Sequence, residues 1–196
     1  MVDRSIETYE QAIDFVFGRI NYERLHGDLY SAGDFKLDRM NRLLAAIDHP
    51  EEHLPVVHIA GSKGKGSTAA MIASALSACG HRTGLFTSPH VESFEERMTV
   101  DGQSPTPERM TELINEMAEA VRALEREPGH LSPTYFESTT AIAWKLFMHS
   151  HADLAILEVG LGGRLDATNI CHPLASIITS ISRDHIRLLG SDPVSY

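Results

Sequence analysis

The feature that most constrains this chain is a turn rich in glycine and lysine, residues 61–68, which directly follows the apolar run 54–60. The residues after the turn are rich in Ala, Met, Ile and Leu and predict a helix over residues 67–78. A buried strand, a glycine-rich turn and a helix N-terminus together place backbone N–H groups where they can surround a phosphate chain. We therefore predict a nucleotide site. The alternative is an ordinary strand-to-helix turn with surface lysines.

The spacing within this turn departs from the strict P-loop pattern. Ile59 occupies the position of the first glycine, and Gly66 separates Lys65 from the hydroxyl pair. A P-loop kinase or GTPase would need the strict spacing or a guanine-binding Asn-Lys-x-Asp, and the sequence contains neither. The residues predicted to bind the nucleotide are Gly61, Ser62, Lys63, Gly64, Lys65, Gly66, Ser67 and Thr68.

Short apolar runs alternate with helical segments over most of the chain. The runs at 54–60, 83–87, 153–159 and 174–180 predict strands that are covered on both faces. Helices are predicted over residues 67–78, 108–125 and 136–149. This alternation predicts an α/β fold with a mostly parallel sheet flanked by helices and with ligands at the carboxyl ends of the strands.

Two further features complete the predicted organisation. Amphipathic helices are expected at residues 5–17, with Ser5 as a possible cap and Thr8 pointing outward, and around residues 37–47. A strand-like run that ends at Asp101-Gly102 predicts a small hairpin after the second sheet strand. We expect one ATP-binding domain, with a helical segment over about residues 1–50 and an α/β core over about residues 51–196.

Composition limits the partners of the chain. A formal net charge of -10 argues against a general nucleic-acid or membrane-surface partner, which would favour a basic face. The two cysteines have no paired spacing, so a reducing compartment fits best. The sequence has no apolar signal core and no run long enough to cross a bilayer. We expect a cytoplasmic monomer that binds small molecules.

Three groups of polar residues follow predicted strands and should face the same crevice as the turn. Ser88 offers a hydroxyl that could bind Mg²⁺, or it belongs to an ordinary Ser-Pro turn. Glu158 closes an apolar strand, where a carboxylate is costly to bury unless it binds a cation or is paired. It therefore predicts a Walker-B type acid, with a cap or salt bridge as the alternative. His185, beside Asp184, could act catalytically or form a surface hydrogen bond.

A glycine block, residues 160–169, follows Glu158 directly. It is not a dinucleotide fingerprint, because Leu165 occupies the third glycine position and no helical pattern begins there. Its three glycines favour a backbone that passes close to a ligand, with Arg164 available to bind a carboxylate or phosphate.

Taken together, these segments resemble the folylpolyglutamate synthase / dihydrofolate synthase family, a branch of the Mur ligase group of ATP-dependent amide ligases. The resemblance extends from about residue 9 to about residue 190 and rests on residues 58–68, 85–90, 94–97, 157–169 and 184–185. Two departures, Ser62 for threonine and Lys63 for asparagine, keep hydrogen-bond donors in the turn.

The resemblance implies a mechanism and a set of roles. In that family, ATP phosphorylates a carboxylate, and the amine of glutamate then attacks the acyl phosphate. Lys65 would bind the β- and γ-phosphates, one Mg²⁺ would bind Ser88 and Glu158, and a second would bind Glu158 and His185. Lys65, Glu158 and His185 are therefore the expected catalytic residues. The expected substrate-binding residues are Thr134, Phe136, Glu137, Arg164 and Asp166.

The resemblance also implies that more chain is needed for the full reaction. Family members continue past the Asp-His pair to a carbamylated lysine and to a C-terminal domain that binds ATP and glutamate, whereas this sequence stops at Tyr196. We therefore expect a truncated folate-type ligase. The alternatives are a non-catalytic fragment that binds Mg-ATP and another Mur-type ligase.

Overall fold

The predicted strands and helices form at the expected places. The computed structural model describes residues 6–22, 37–127 and 132–182. The strands are β1 (Val56–Ala60), β2 (Thr83–Phe86), β3 (Met98–Val100), β4 (Leu154–Glu158) and β5 (Ala175–Ile178). The helices are α1 (Tyr9–Phe17), α2 (Leu37–Ala45), α3 (Lys65–Ala78), α4 (Pro107–Glu125) and α5 (Tyr135–His149). Short 3-10 helices lie at Pro50–Glu52 and Phe94–Arg97.

The five strands form one sheet in the order β3-β2-β4-β1-β5. β2, β4, β1 and β5 run parallel, and β3 pairs antiparallel with β2. β3 ends in a tight turn at Asp101 and Gly102 that is closed by an antiparallel bridge between Val100 and Gln103, which confirms the predicted hairpin. Ile59 of β1 lies opposite Glu158 of β4. The carboxyl ends of the central strands therefore meet at one edge, as the α/β prediction requires.

Helices cover the two faces of the sheet. On one face, α3 packs Ala69 and Ala73 onto Ile59 and Ile156 of the central strands. On the other face, α4 and α5 form the larger core, which includes the fully buried Trp144. Helices α1 and α2 pack on α4 and α5. Among the described residues, no helix combines the length and the apolar character that a bilayer crossing requires.

Two details of the prediction are wrong. Helix α1 begins at Tyr9, and Thr8, predicted to point outward, is its N-cap and accepts a hydrogen bond from the Gln11 N–H. Strand β5 is not covered on both faces, since three of its four residues are exposed. It pairs only with β1 among the described strands, and an apolar run does not distinguish a central strand from an edge strand.

Candidate functional site

The predicted phosphate-binding turn leaves β1 at Ala60 and enters α3 at Lys65. Gly61 has a φ of 134°, a conformation that side chains disfavour. A Cβ atom at Gly61 would also lie 2.2 Å from Thr179 Oγ1. A glycine is therefore required where the chain leaves the sheet, both for its backbone conformation and for its close contact with Thr179, which directly follows the neighbouring strand β5.

The segment that follows β5 braces this turn. The Ser62 N–H donates to the Ser180 carbonyl at 2.6 Å, and its hydroxyl donates to the Ser182 carbonyl at 3.0 Å. Thr179 Oγ1 donates to the Lys63 carbonyl at 2.7 Å. These bonds fix the shape of the turn without using its lysine side chains.

Lys65 lies in the first turn of α3 and folds back over the glycine turn. Its Nζ donates to the Gly61 carbonyl at 2.9 Å. Thr68 donates to the Gly64 carbonyl through both its N–H and its hydroxyl, at 3.0 and 2.8 Å. The ammonium group thus already lies over the turn where a phosphate chain is predicted.

Glu158 faces the turn from the adjacent strand. The residue is only 5% exposed, and its Oε2 accepts a hydrogen bond from the Ser88 N–H at 3.0 Å. A Cβ atom at Gly66 would lie 3.1 Å from the same oxygen, so the carboxylate touches the start of α3. The pKa of Glu158 is raised because burial disfavours its ionised form, and the opposing contributions of the Ser88 N–H and the Lys65 charge are smaller.

The structure thus brings Lys65, Gly66, Ser88 and Glu158 together at one edge of the sheet. A carboxylate and a hydroxyl are the oxygen ligands that Mg²⁺ prefers. His185, predicted as a catalytic residue and metal ligand, lies outside the described residues.

The glycine block after β4 is held by a buried carboxylate. Asp166 accepts hydrogen bonds from the N–H groups of Leu161, at 2.8 Å, and Thr168, at 2.9 Å. The Thr168 hydroxyl donates to Asp166 Oδ1 at 2.5 Å, and His58 Nε2 lies 2.8 Å from that hydroxyl. Asp166 therefore braces the block and links it to β1 through Thr168 and His58. Its role in substrate binding stays a prediction.

Thr134 and Glu137, also predicted to bind substrate, form the capping box of α5. Thr134 Oγ1 accepts from the Glu137 N–H at 3.2 Å, and Glu137 accepts from the Thr134 N–H at 2.8 Å. Arg39 donates to both oxygens of Glu137 at 3.1 Å. Both predicted residues are buried, so the structure gives their side chains a capping role, and substrate binding by them stays a prediction.

Phe136 and Arg164 remain accessible at the same edge. Phe136 is half-buried, and its ring packs so closely on Gly160 that a Cβ atom there would lie 2.4 Å from Cζ. The ring also packs against Phe86, with centroids 5.8 Å apart. Arg164 is exposed on the glycine block. An aromatic surface and a cation thus flank the carboxyl ends of β2 and β4.

Residues 59–192 match the model of the Mur ligase middle domain, which is more than half of the chain. The chain belongs to the Mur ligase family. The match begins in β1, just before the glycine turn, and includes Glu158 and the glycine block. The Mur ligase middle domain therefore contains the residues that the structure brings together.

Relatives within this family are folate enzymes. The chain is 40% identical over 184 residues to the dihydrofolate synthase/folylpolyglutamate synthase of Bacillus subtilis. The aligned segment covers 93% of this chain and 40% of the relative. An FPGS–AMPPCP–folate complex matches with a TM-score of 0.86 and 30% identity over 96% of this chain and 44% of the other. Escherichia coli FolC in complex with DHPP and ADP matches with a TM-score of 0.81 and 34% identity over 99% of this chain and 43% of the other. The chain thus spans about two fifths of the length of these relatives.

Some residues of this Mur ligase site were not predicted from the sequence. Thr179, Ser180 and Ser182 brace the glycine turn, and His58 binds the Thr168 hydroxyl. Thr179 and Ser180 end the predicted strand 174–180 and Ser182 follows it, so their position at a carboxyl end is a usable signal. His58 lies inside an apolar run, and only the three-dimensional fold reveals its partner.

Proposed function

We propose that this chain binds Mg-ATP at the turn of residues 61–68 and forms the ATP-binding part of a ligase that joins L-glutamate to the carboxylate of a folate or dihydropteroate. The observation that carries the proposal is the position of Glu158, a buried carboxylate in contact with Gly66 of the turn. A carboxylate whose ionised form is disfavoured by burial is well suited to bind a cation that accompanies the phosphates.

The nucleotide would be held by backbone N–H groups of the turn and by Lys65. In the structure the Lys65 ammonium donates to the Gly61 carbonyl. On ATP binding we expect it to exchange this carbonyl for the oxygens of the β- and γ-phosphates, where its charge has greater effect. The braced turn would keep its shape during this exchange.

The residues present also fit Mg²⁺. Glu158 supplies a carboxylate, and Ser88, whose backbone N–H donates to that carboxylate, carries a hydroxyl, so both side chains end in oxygen ligands. When bound, the ion would neutralise charge on the phosphate oxygens and on Glu158. His185 is the further ligand that the family resemblance implies.

The reaction would proceed in two steps, phosphoryl transfer and amide formation. A carboxylate oxygen of the substrate attacks the γ-phosphorus of ATP, which forms an acyl phosphate and releases ADP. The amine of glutamate then attacks the acyl carbon, the nitrogen loses a proton to solvent, and phosphate leaves as the amide forms. Lys65 and the turn would hold the phosphates during transfer, and the half-buried ring of Phe136 is the proposed contact for a pterin ring.

The choice of substrate rests on the relatives. Their names and their complexes with folate or DHPP favour a folate-type acceptor over the acceptors of other Mur ligases. That the protein acts as a cytoplasmic monomer stays a prediction of the sequence.

A second candidate is a module that binds Mg-ATP without turnover. It is favoured by the coverage of about two fifths of the relatives' length. An assay with ATP, labelled glutamate and dihydropteroate or tetrahydrofolate separates the two. Glutamylated product would establish the ligase, whereas nucleotide binding without product would establish the module for this chain.

Nucleotide binding itself is tested by thermal unfolding. At a hundredfold excess of Mg-ATP over Kd, binding should raise the melting temperature of the wild-type chain by about 5–10 °C. Lys65→Ala should lose most of this rise. Arg82→Ala is the matched control, because Arg82 is an exposed cation that precedes β2, at the opposite end of the sheet from the turn. An equal rise in the wild type and Lys65→Ala would refute the assignment of Lys65.

A further inference from the structure

We propose that His49, Glu51 and Glu52 bind one divalent transition-metal ion at a site separate from the nucleotide turn. These residues lie on and just before the 3-10 helix Pro50–Glu52, between α2 and β1. One imidazole nitrogen and one oxygen from each carboxylate all lie within 4.8 Å of one another. The cluster precedes the amino end of β1, whereas the nucleotide turn follows its carboxyl end.

His49 and Glu51 already lie close to the spacing of two ligands on one ion, and Glu52 lies within 4.8 Å of both. His49 Nδ1 lies 2.9 Å from Glu51 Oε1. Two ligands that each bind an ion at about 2.0–2.2 Å lie roughly 3.0–3.5 Å from each other at octahedral to tetrahedral angles. The imidazole and the carboxylate therefore need to separate by only a few tenths of an ångström to admit a metal ion.

A second observation points to a missing ligand. Glu51 Oε2 is buried and has no hydrogen-bond partner among the described residues, and the Glu51 side chain is only 7% exposed. Buried carboxylate oxygens are normally satisfied by donors or cations. Among the described residues only Oε1 of this carboxylate has a hydrogen-bond partner, namely His49. A metal ion bound to Glu51 would neutralise the charge of the carboxylate.

The donor set indicates the class of ion. An imidazole nitrogen with two carboxylates suits Zn²⁺ or a neighbouring transition metal, whereas Mg²⁺ and Ca²⁺ prefer oxygen ligands alone. Glu52 is exposed, so water can complete the coordination from the solvent side. Asp48 adds a further negative charge beside His49. The surroundings therefore attract a dication.

Zinc binding to the whole chain, measured by competition with a chromophoric chelator, tests the proposal. Glu51→Gln and His49→Asn should each weaken this site by about tenfold or more, because even loss of an outer-shell partner of a metal ligand has an effect of that size. Asparagine is chosen at position 49 because it tolerates the left-handed backbone of His49. His53→Asn is the matched control, since it removes an exposed imidazole next to the cluster but outside it.

Two results would overturn the site. One is zinc affinity in Glu51→Gln equal to that of the wild type, and the other is an equal loss in His53→Asn, which would indicate scattered binding to surface histidines. A measurement on the wild-type chain covers the case in which a variant fails to fold. Zinc should shift the ring nitrogen resonances of His49 in the ¹⁵N-histidine-labelled protein, and an unchanged His49 would refute the proposal.

Discussion

Replacement of Thr168 by valine should destabilise the protein strongly although it removes a single hydroxyl group. That hydroxyl has no exposed surface, donates to Asp166 and lies 2.8 Å from His58 Nε2. Because its one proton goes to the carboxylate, the His58 ring must donate from Nε2–H. The pKa of His58 is lowered by burial, so the ring is neutral near pH 7. Valine has nearly the shape of threonine, so the change isolates the hydrogen bonds.

The magnitude follows from the two bonds that are lost. A buried N–H donor left without an acceptor costs about 1–3 kcal/mol, and the hydrogen bond to Asp166, whose pKa is raised by burial, contributes about 0.5–1.5 kcal/mol. Asp166 keeps the backbone donors Leu161 and Thr168, which limits its share. We expect a loss of about 3 kcal/mol in the free energy of unfolding, or roughly 6–12 °C in melting temperature for a domain of this size.

Urea unfolding of the wild-type chain and four variants (Thr168→Val, His58→Leu, the double variant and Thr140→Val) provides the assay. Thr140→Val is the matched control, because Thr140 is 1% exposed but its hydroxyl only donates to the Phe136 carbonyl of its own helix. It should cost less than about 1 kcal/mol. Adding His58→Leu to Thr168→Val removes the unsatisfied donor, so the double variant should be more stable than the sum of the single effects predicts. Additivity within about 0.5 kcal/mol would refute the proposed link between these side chains.

Three other predictions follow from buried contacts. Gly160→Ala should lower the free energy of unfolding by about 1–3 kcal/mol, because its Cβ atom would lie 2.4 Å from the Phe136 ring. Gly163→Ala, where a Cβ atom would meet no other atom within 4 Å, should have no such effect, and chemical denaturation of both variants tests this. Glu158→Gln should stabilise the chain without nucleotide, and increasingly so as pH rises above the ordinary pKa of a glutamate. Because the pKa of Glu158 is raised, the folded wild type there retains a proton that the unfolded chain has lost, which destabilises the wild type. A difference in melting temperature between variant and wild type that stays constant with pH would contradict this. Cys171, with a pKa raised to about 11 by burial, should resist iodoacetamide at pH 8 while the other, exposed cysteine reacts, and equal labelling by mass spectrometry would contradict this.

Much of the sheet could be predicted because its central strands differ so clearly from the polar segments around them. Strands β1 and β4 are apolar on both faces, and each ends within two residues of the predicted position. Strand β5 has the same kind of sequence but lies at the edge of the described sheet. Neighbour order is a long-range property, and a local apolar run contains no information about it.

The candidate site divides along a similar line. Lys65, Ser88 and Glu158 could be placed together from the sequence, because each adjoins the carboxyl end of a parallel strand and such ends converge. For Thr134 and Asp166 the sequence could not distinguish a ligand-binding role from a structural one. A threonine hydroxyl or an aspartate carboxylate can bind a ligand or accept hydrogen bonds from backbone N–H groups. Which of the two it does depends on the donors that the folded chain places beside it.

The strand register explains why the fold tolerates an unfavourable carboxylate at this point. Glu158 pairs with Ile59, two residues before Gly61, so the end of β4 must lie beside the turn that leaves β1. The absence of a side chain at Gly66 then lets the carboxylate approach the first turn of α3, where backbone N–H groups and the helix dipole favour negative charge. These donors only partly offset the cost of burial, since the pKa of Glu158 remains raised. A bound cation would remove the remaining cost, so the same burial that disfavours the ionised carboxylate would favour binding of a metal–nucleotide complex.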